Sequence, residues 1–185
     1  MIETLSLILS IIAIIASSPV LSKIVLYHFY VPKLDVFFPP AFSYSEKVLL
    51  KPEDIANGKV INIRNNDKRE FIIQIEFILD KPWKLLDDQR ILESGLKSGY
   101  QHRTGFYFKT ETFQIPSNNS ITGLRFPFKS KLEECSVDII IYPKVHMSEF
   151  GLPRYFGECD LRPVKKHFEL TPYTVPGNLK KCGEI

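Results

Sequence analysis

Outside its N-terminal stretch the chain carries six His and Cys side chains that could bind a metal or act as nucleophiles: His102, His146, His167, Cys135, Cys159 and Cys182. A copper site in a β-sandwich needs a late Cys, then His, then Met within a few residues of one loop. Val145-His146-Met147 has two of those side chains, but Cys159 is followed by His167 eight positions later and no Met comes after it. Hydrogen-bonded or solvent-facing histidines are therefore expected, and no metal ligand is assigned. Nucleophilic catalysis would call for a GxSxG elbow or a Cys-His pair on recognisable turns, and phosphate binding for a compact glycine loop. None is present, and Gly95, Gly99 and Gly105 are too dispersed for a phosphate loop. The pairs Asp87-Asp88 and Glu133-Glu134 are adjacent, so in an extended chain their carboxylates point to opposite sides and mark solvated turns. No catalytic residue and no cofactor is assigned.

Three cysteines cannot all pair within one chain, and their spacing matches no CxxC pattern. Two readings stay open: buried thiols, or one disulfide from Cys159 to Cys182 that ties down the C-terminal tail. Residues 151–185 read as a Pro-rich basic arm packing on the domain. Arg154, Arg162, Lys165, Lys166, Lys180 and Lys181 are interleaved there with Tyr155, Phe156, Phe168 and Tyr173. Near anionic lipid such side chains contribute about 1 kcal/mol each. The plainer reading drapes the segment over its own domain.

The elements that would position these groups follow from hydropathy. Residues 5–16 are almost wholly Leu, Ile and Ala, interrupted by Ser6 and Ser10, and no charge falls between Thr4 and Ser22. Continued through Val31, the stretch has the roughly 20 apolar residues that a bilayer core requires. Residues 1–31 are thus predicted as one N-terminal transmembrane helix with an interfacial segment, meeting lipid through residues 4–31. Tyr27, Phe29 and Tyr30 form an aromatic belt in this reading. Pro19 is tolerated as a kink, its freed carbonyl helped by Ser17 or Ser18. A cleaved signal peptide lacks its basic n-region, because Glu3 stands there. A buried core helix suits the 12-residue run alone but is uneconomical for a whole segment apolar on every face at the start of the chain, and an interfacial helix wants a polar face that four serines do not supply. Ser6, Ser10, Ala13 and Ser17 recur at helical spacing as a small-residue face for packing on another helix. Lys23 and Lys33 follow the run, so the positive-inside rule places the domain in the cytoplasm, with the external side as the alternative.

The remaining chain suffices for one domain. A net charge of +3 with 44% hydrophobic and 24% charged residues argues against disorder and against nucleic acid. Residues 32–42 read as a Pro-rich linker with a first strand, and 43–150 as the domain. Segments 59–64 and 70–79 flank Asn65-Asn66-Asp67-Lys68 and predict a hairpin, its turn using left-handed backbone. Phe71, Ile73, Ile75, Phe77 and Leu79 fall on one face of the second strand, the period of a sheet with one buried side. Further strands are predicted at 34–38, 43–50, 106–115, 121–126, 136–142 and 167–170, with a short helix within 82–96. About seven or eight short strands at this spacing make an all-β, antiparallel β-sandwich, with a small closed barrel as the alternative. The pattern resembles immunoglobulin-like domains in strand count, in the Asn-rich reversal, and in Pro127 and Pro143 bracketing a late strand pair. The Cys, Trp, Cys spacing of antibody domains is absent, since Trp83 precedes every cysteine. Fold does not fix function. The organisation predicts a membrane-anchored, non-catalytic interaction or scaffold domain with a protein partner. The alternatives are an accessory single-pass subunit of a membrane complex and an anchored metal-binding or enzymatic domain.

Overall fold

Alternation of buried and exposed side chains runs through every long strand, and it sets two sheets face to face. A computed structural model describes residues 2–39, 46–51, 54, 59–85, 103–104, 106–129 and 133–172. One sheet has three strands in the order β1, β3, β9: β1 is Leu34–Phe37, β3 Val60–Asn65 and β9 Ser120–Arg125. The larger sheet runs β2 (Lys47–Leu50), β13 (Val164–Pro172), β11 (Cys135–His146), β4 (Phe71–Leu79), β7 (Tyr107–Lys109) and β6 (Arg103–Thr104). Two further strands join it, β12 (Glu158–Asp160) on β11 and β8 (Phe113–Ile115) on β4, and β5 (Lys84–Leu85) pairs separately with β10 (Phe128–Lys129). Past the N-terminal helices, the described residues therefore form an all-β sandwich. Its pairs are antiparallel except β2 with β13, which run parallel from Lys47 against Glu169 to Leu50 against Pro172.

Ile61 and Ile63 of β3 face Phe71, Ile73, Ile75 and Phe77 of β4 across a core that also holds Val137, Ile139 and Ile141 of β11. Phe126 is its aromatic centre, in edge or tilted contact with Phe38, Phe77, Trp83 and Phe128 at 5.3–6.3 Å between ring centroids.

Several local expectations change. Segments 59–64 and 70–79 are strands, but they do not pair as a hairpin: β3 lies between β1 and β9, while β4 lies between β11 and β7. Both present strongly apolar inner faces, and two such faces bury each other across a core rather than edge to edge. The reversal is a corner between sheets, built on the buried amide of Asn65, whose Nδ2 donates to the carbonyls of Arg69 (2.8 Å) and Pro116 (2.9 Å). Left-handed backbone occurs instead at Asn118 and Asn119, in the second corner that carries the chain from β8 to β9. The corners are tied together, since Asn118 N–H donates to the Asp67 carbonyl at 2.8 Å.

The strand predicted at 106–115 is split into β7 and β8 at Thr110, whose hydroxyl accepts the N–H of Ile75 at 3.0 Å. The strand predicted at 136–142 continues through Pro143 to His146. The Pro143 carbonyl accepts from Leu161, so the side lacking a donor faces the gap where the neighbour of β11 changes from β13 to β12. Residues 158–172 supply β12 and β13 to the sheet itself, with β13 between β11 and β2. Of the short helix predicted within 82–96, residues 84–85 form β5 and 86–96 lie outside the described residues.

At the N-terminus the single helix expected through Pro19 is two helices, α1 (Ile2–Ser17) and α2 (Pro19–Phe29), bent by 104°. Ser18 adopts extended backbone and its side chain accepts the N–H of Leu21, capping α2, while Pro19 occupies the first turn, where a missing N–H costs nothing. No single described helix is long and apolar enough to cross a membrane; the bent pair passes that test together by length and composition.

Candidate functional site

Helix α1 has no polar face. Leu5, Leu7, Ile8, Leu9, Ile11, Ile12 and Ile14 are all exposed, and none touches the sandwich core. Its 16 residues span about 24 Å. Ser6, Ser10, Ala13 and Ser17 lie along it. The Ser10 hydroxyl donates to the Ser6 carbonyl (2.9 Å) and Ser17 to Ile14 (3.0 Å), so these hydroxyls are engaged by the helix's own backbone.

Helix α2 docks on the sandwich. Ser22 is buried, Leu26 and Tyr30 pack against the core, and the Cys159 thiol of β12 approaches the Lys23 carbonyl at 3.6 Å. Just past its end, a polar clamp locks the helix to the first corner. Tyr30 donates its hydroxyl to the buried Asp67 carboxylate, and Arg69 Nη1 reaches Asp67 Oδ1 at 3.2 Å and the Tyr30 hydroxyl at 3.3 Å. The guanidinium lies 4.2 Å from the Phe150 ring centroid and 5.2 Å from that of Tyr30. Burial opposes the charge on Asp67, yet the hydrogen bonds from Tyr30 and the Arg69 backbone and the charge of Arg69 hold its carboxyl below the ordinary range.

The outer face of the large sheet carries two charge clusters. Glu76 accepts from Lys109 (2.9 Å) and Tyr142 (2.8 Å). Burial disfavours its charge, but the bonds from Lys109, Tyr142 and Tyr107 keep its carboxyl below the ordinary value. Asp138 pairs with Lys165 and His167, each at 2.8 Å, and its carboxyl is lowered chiefly by the Lys165 bond. Ser136 shares this strand with Asp138, but its side chain is bonded to Asp80, so serine, histidine and aspartate do not assemble into a catalytic relay.

A polar recess of about 310 Å³ lies at the far end of β11, beside Lys47, Asp80, Lys81, Glu134, Cys135 and Glu169. Several of its polar groups are already engaged: Asp80 accepts from the Cys135 thiol (3.0 Å) and the Ser136 N–H (2.8 Å), Lys81 donates to the Glu134 carbonyl (2.7 Å), and Lys47 pairs with Glu169 at 3.7 Å. Burial, joined by the bond to Asp80, pushes the Cys135 thiol up to about 12.

The four basic residues among those described do not form one patch. Arg154 and Arg162 are exposed on either side of β12, Lys165 is engaged by Asp138, and Lys166 is half-buried in β13. Lys180 and Lys181 lie outside the described residues, as do Cys182, its pairing with Cys159, and His102. Cys159 is buried, and burial and the Asp160 charge raise its thiol. His146 caps the 3-10 turn Met147–Phe150, with Nδ1 2.7 Å from the Ser148 hydroxyl. Among the described residues no group of three His, Cys, Asp or Glu side chains is arranged to hold a metal ion. The Tyr30, Asp67, Arg69 and Phe150 clamp escapes sequence reasoning because its members lie up to 120 positions apart. Comparison with protein-family models and with curated proteins finds no match.

Proposed function

We propose that the protein is a membrane-anchored, non-catalytic interaction module, held at a bilayer by its N-terminal segment and offering its sandwich to a protein partner on the cytoplasmic side. The observation that carries this reading is α1: an exposed helix, apolar on every side, has no stable place in water. The partner surface in this reading is the outer face of the large sheet. There Ile78, Tyr107, Ile140 and Tyr142 surround charges already paired with one another, leaving an aromatic and aliphatic surface with little unpaired charge to desolvate.

We further infer that the sandwich is immunoglobulin-like. Its strand orders, β1-β3-β9 facing β13-β11-β4, parallel the A, B, E and G, F, C orders of such domains, while β7 and β6 continue the sheet in the reverse chain order to the C′ and C″ strands of a variable-type domain.

Membrane fractionation of the full chain, followed by affinity purification in mild detergent, tests the proposal. The protein should resist alkaline extraction, and a fixed protein should co-purify with wild type but not with an Ile78→Glu, Tyr107→Glu variant that remains folded. Release into the alkaline supernatant removes the anchor, and a partner retained by that variant removes the proposed surface. A partner lost only on changing Ser6, Ser10, Ala13 and Ser17 to bulky residues supports an accessory subunit instead.

A further inference from the structure

Helix α2 is apolar on two opposite faces, and the sandwich covers only one. Ser22, Leu26 and Tyr30, four apart, look towards the domain. Val20, Leu21, Ile24 and Tyr27 are exposed on the other side, with His28 the one polar side chain among them. A helix that already buries one face normally turns charge towards water with the other.

We propose that the bilayer surface covers this second face: α2 lies along the membrane plane at the boundary of headgroups and acyl chains, and the sandwich rests on the membrane by its β12 end. This rests on reading α1 as the anchor. The bend of 104° sets α2 nearly perpendicular to α1, so a helix inserted along the membrane normal leaves α2 close to the membrane plane. The bend is built by the Ser18 cap and Pro19.

The surroundings fit a headgroup layer. Phe29 and Tyr155, 82% and 84% exposed, stand at this end of the sandwich, where interfacial aromatic rings are favoured. Lys33, Arg154 and Arg162 are exposed at the same end, beside the exposed carboxylates Glu149, Glu158 and Asp160, the last paired with Lys144 at 3.3 Å, so this end carries mixed charge, as a zwitterionic headgroup layer does.

The test is spin-label depth measurement on the full chain in vesicles containing anionic lipid. Cys182→Ser removes the thiol outside the described residues, Cys135 and Cys159 are buried, and single labels are placed at Ile8, Ile24 and Gln114 through substitution by Cys. The inference expects Ile8 deep in hydrocarbon, Ile24 about 5–10 Å below the headgroup boundary, accessible to oxygen and shielded from a polar nickel reagent, and Gln114 in water. Ile24 as water-accessible as Gln114, with Ile8 still in lipid, overturns the inference and leaves the anchor standing. Ile24 shielded from both reagents means that protein, not lipid, covers the face, and overturns it equally. Ile8 in water overturns the anchor reading and the inference with it.

Discussion

Replacing Tyr30 by Phe isolates one atom of the clamp that joins α2 to the sandwich. The ring contacts persist, edge-on to Phe150 at 4.9 Å and beneath the Arg69 guanidinium, while the hydroxyl that donates to Asp67 is lost. A hydrogen bond to a charged group contributes about 1.5–3 kcal/mol. For a chain of this size each kcal/mol lowers the melting temperature by about 2–4 °C, so Tyr30→Phe should melt about 3–12 °C below wild type. Trp83 is the sole tryptophan and is buried, so its fluorescence reports unfolding of the full chain in mild detergent. Asp67→Asn should cost a similar amount, and the double variant less than the sum, because each change removes the same bond. The pH sign follows from the lowered carboxyl of Asp67: its stabilisation is present above the ordinary carboxylate value of about 3.9 and is lost as pH falls through the lower folded-state value. Asp67→Asn should therefore lose less stability on acidification than wild type. A Tyr30→Phe change below about 0.5 kcal/mol, with a strictly additive double variant, would falsify the clamp.

At the core centre, Phe126→Ala should cost about 3–5 kcal/mol by urea denaturation, since four aromatic neighbours lose a partner. On the outer sheet face, Glu76→Gln should cost about 1.5–3 kcal/mol near neutrality by weakening the bonds to Lys109 and Tyr142. Because the Glu76 carboxyl is held low, that penalty should shrink as wild type is acidified through its folded-state value, and a penalty constant with pH would count against the cluster. A thiol reagent at pH 8 should leave Cys135 and Cys159 unmodified in the native protein and label both in denaturant, as mass spectrometry of peptides would show.

Strand identity was legible where one face is buried, because period-two alternation is local: the apolar positions from Phe71 to Leu79 are those that enter the core. Pairing was not. Asn65 to Lys68 looks like a hairpin turn in composition, yet what makes it a corner is the Asn65 amide reaching Pro116, a contact that no local pattern encodes. The helix break was half legible, since Pro19 was visible, but Ser18 reads equally as a helper of a kinked helix and as the cap of a new one. The surfaces fared similarly. The apolar α1 announces itself in sequence, whereas Lys165 reads as a free cation and is in fact tied to Asp138 across the sheet.

The position of β13 also has a meaning in time. This strand sits inside the sheet with β11 on one side and β2 on the other, yet it is the last described piece of chain to leave the ribosome. At about 5–20 residues per second, on the order of ten to thirty seconds separate the synthesis of α2 from that of residue 172. During that interval the apolar N-terminus is already made, β2 lacks the strand it pairs with, and β11, once made, waits with one edge unpaired. Attachment before completion would keep such half-built sheets apart on a surface, where edge-to-edge association between neighbouring nascent chains is the hazard to avoid.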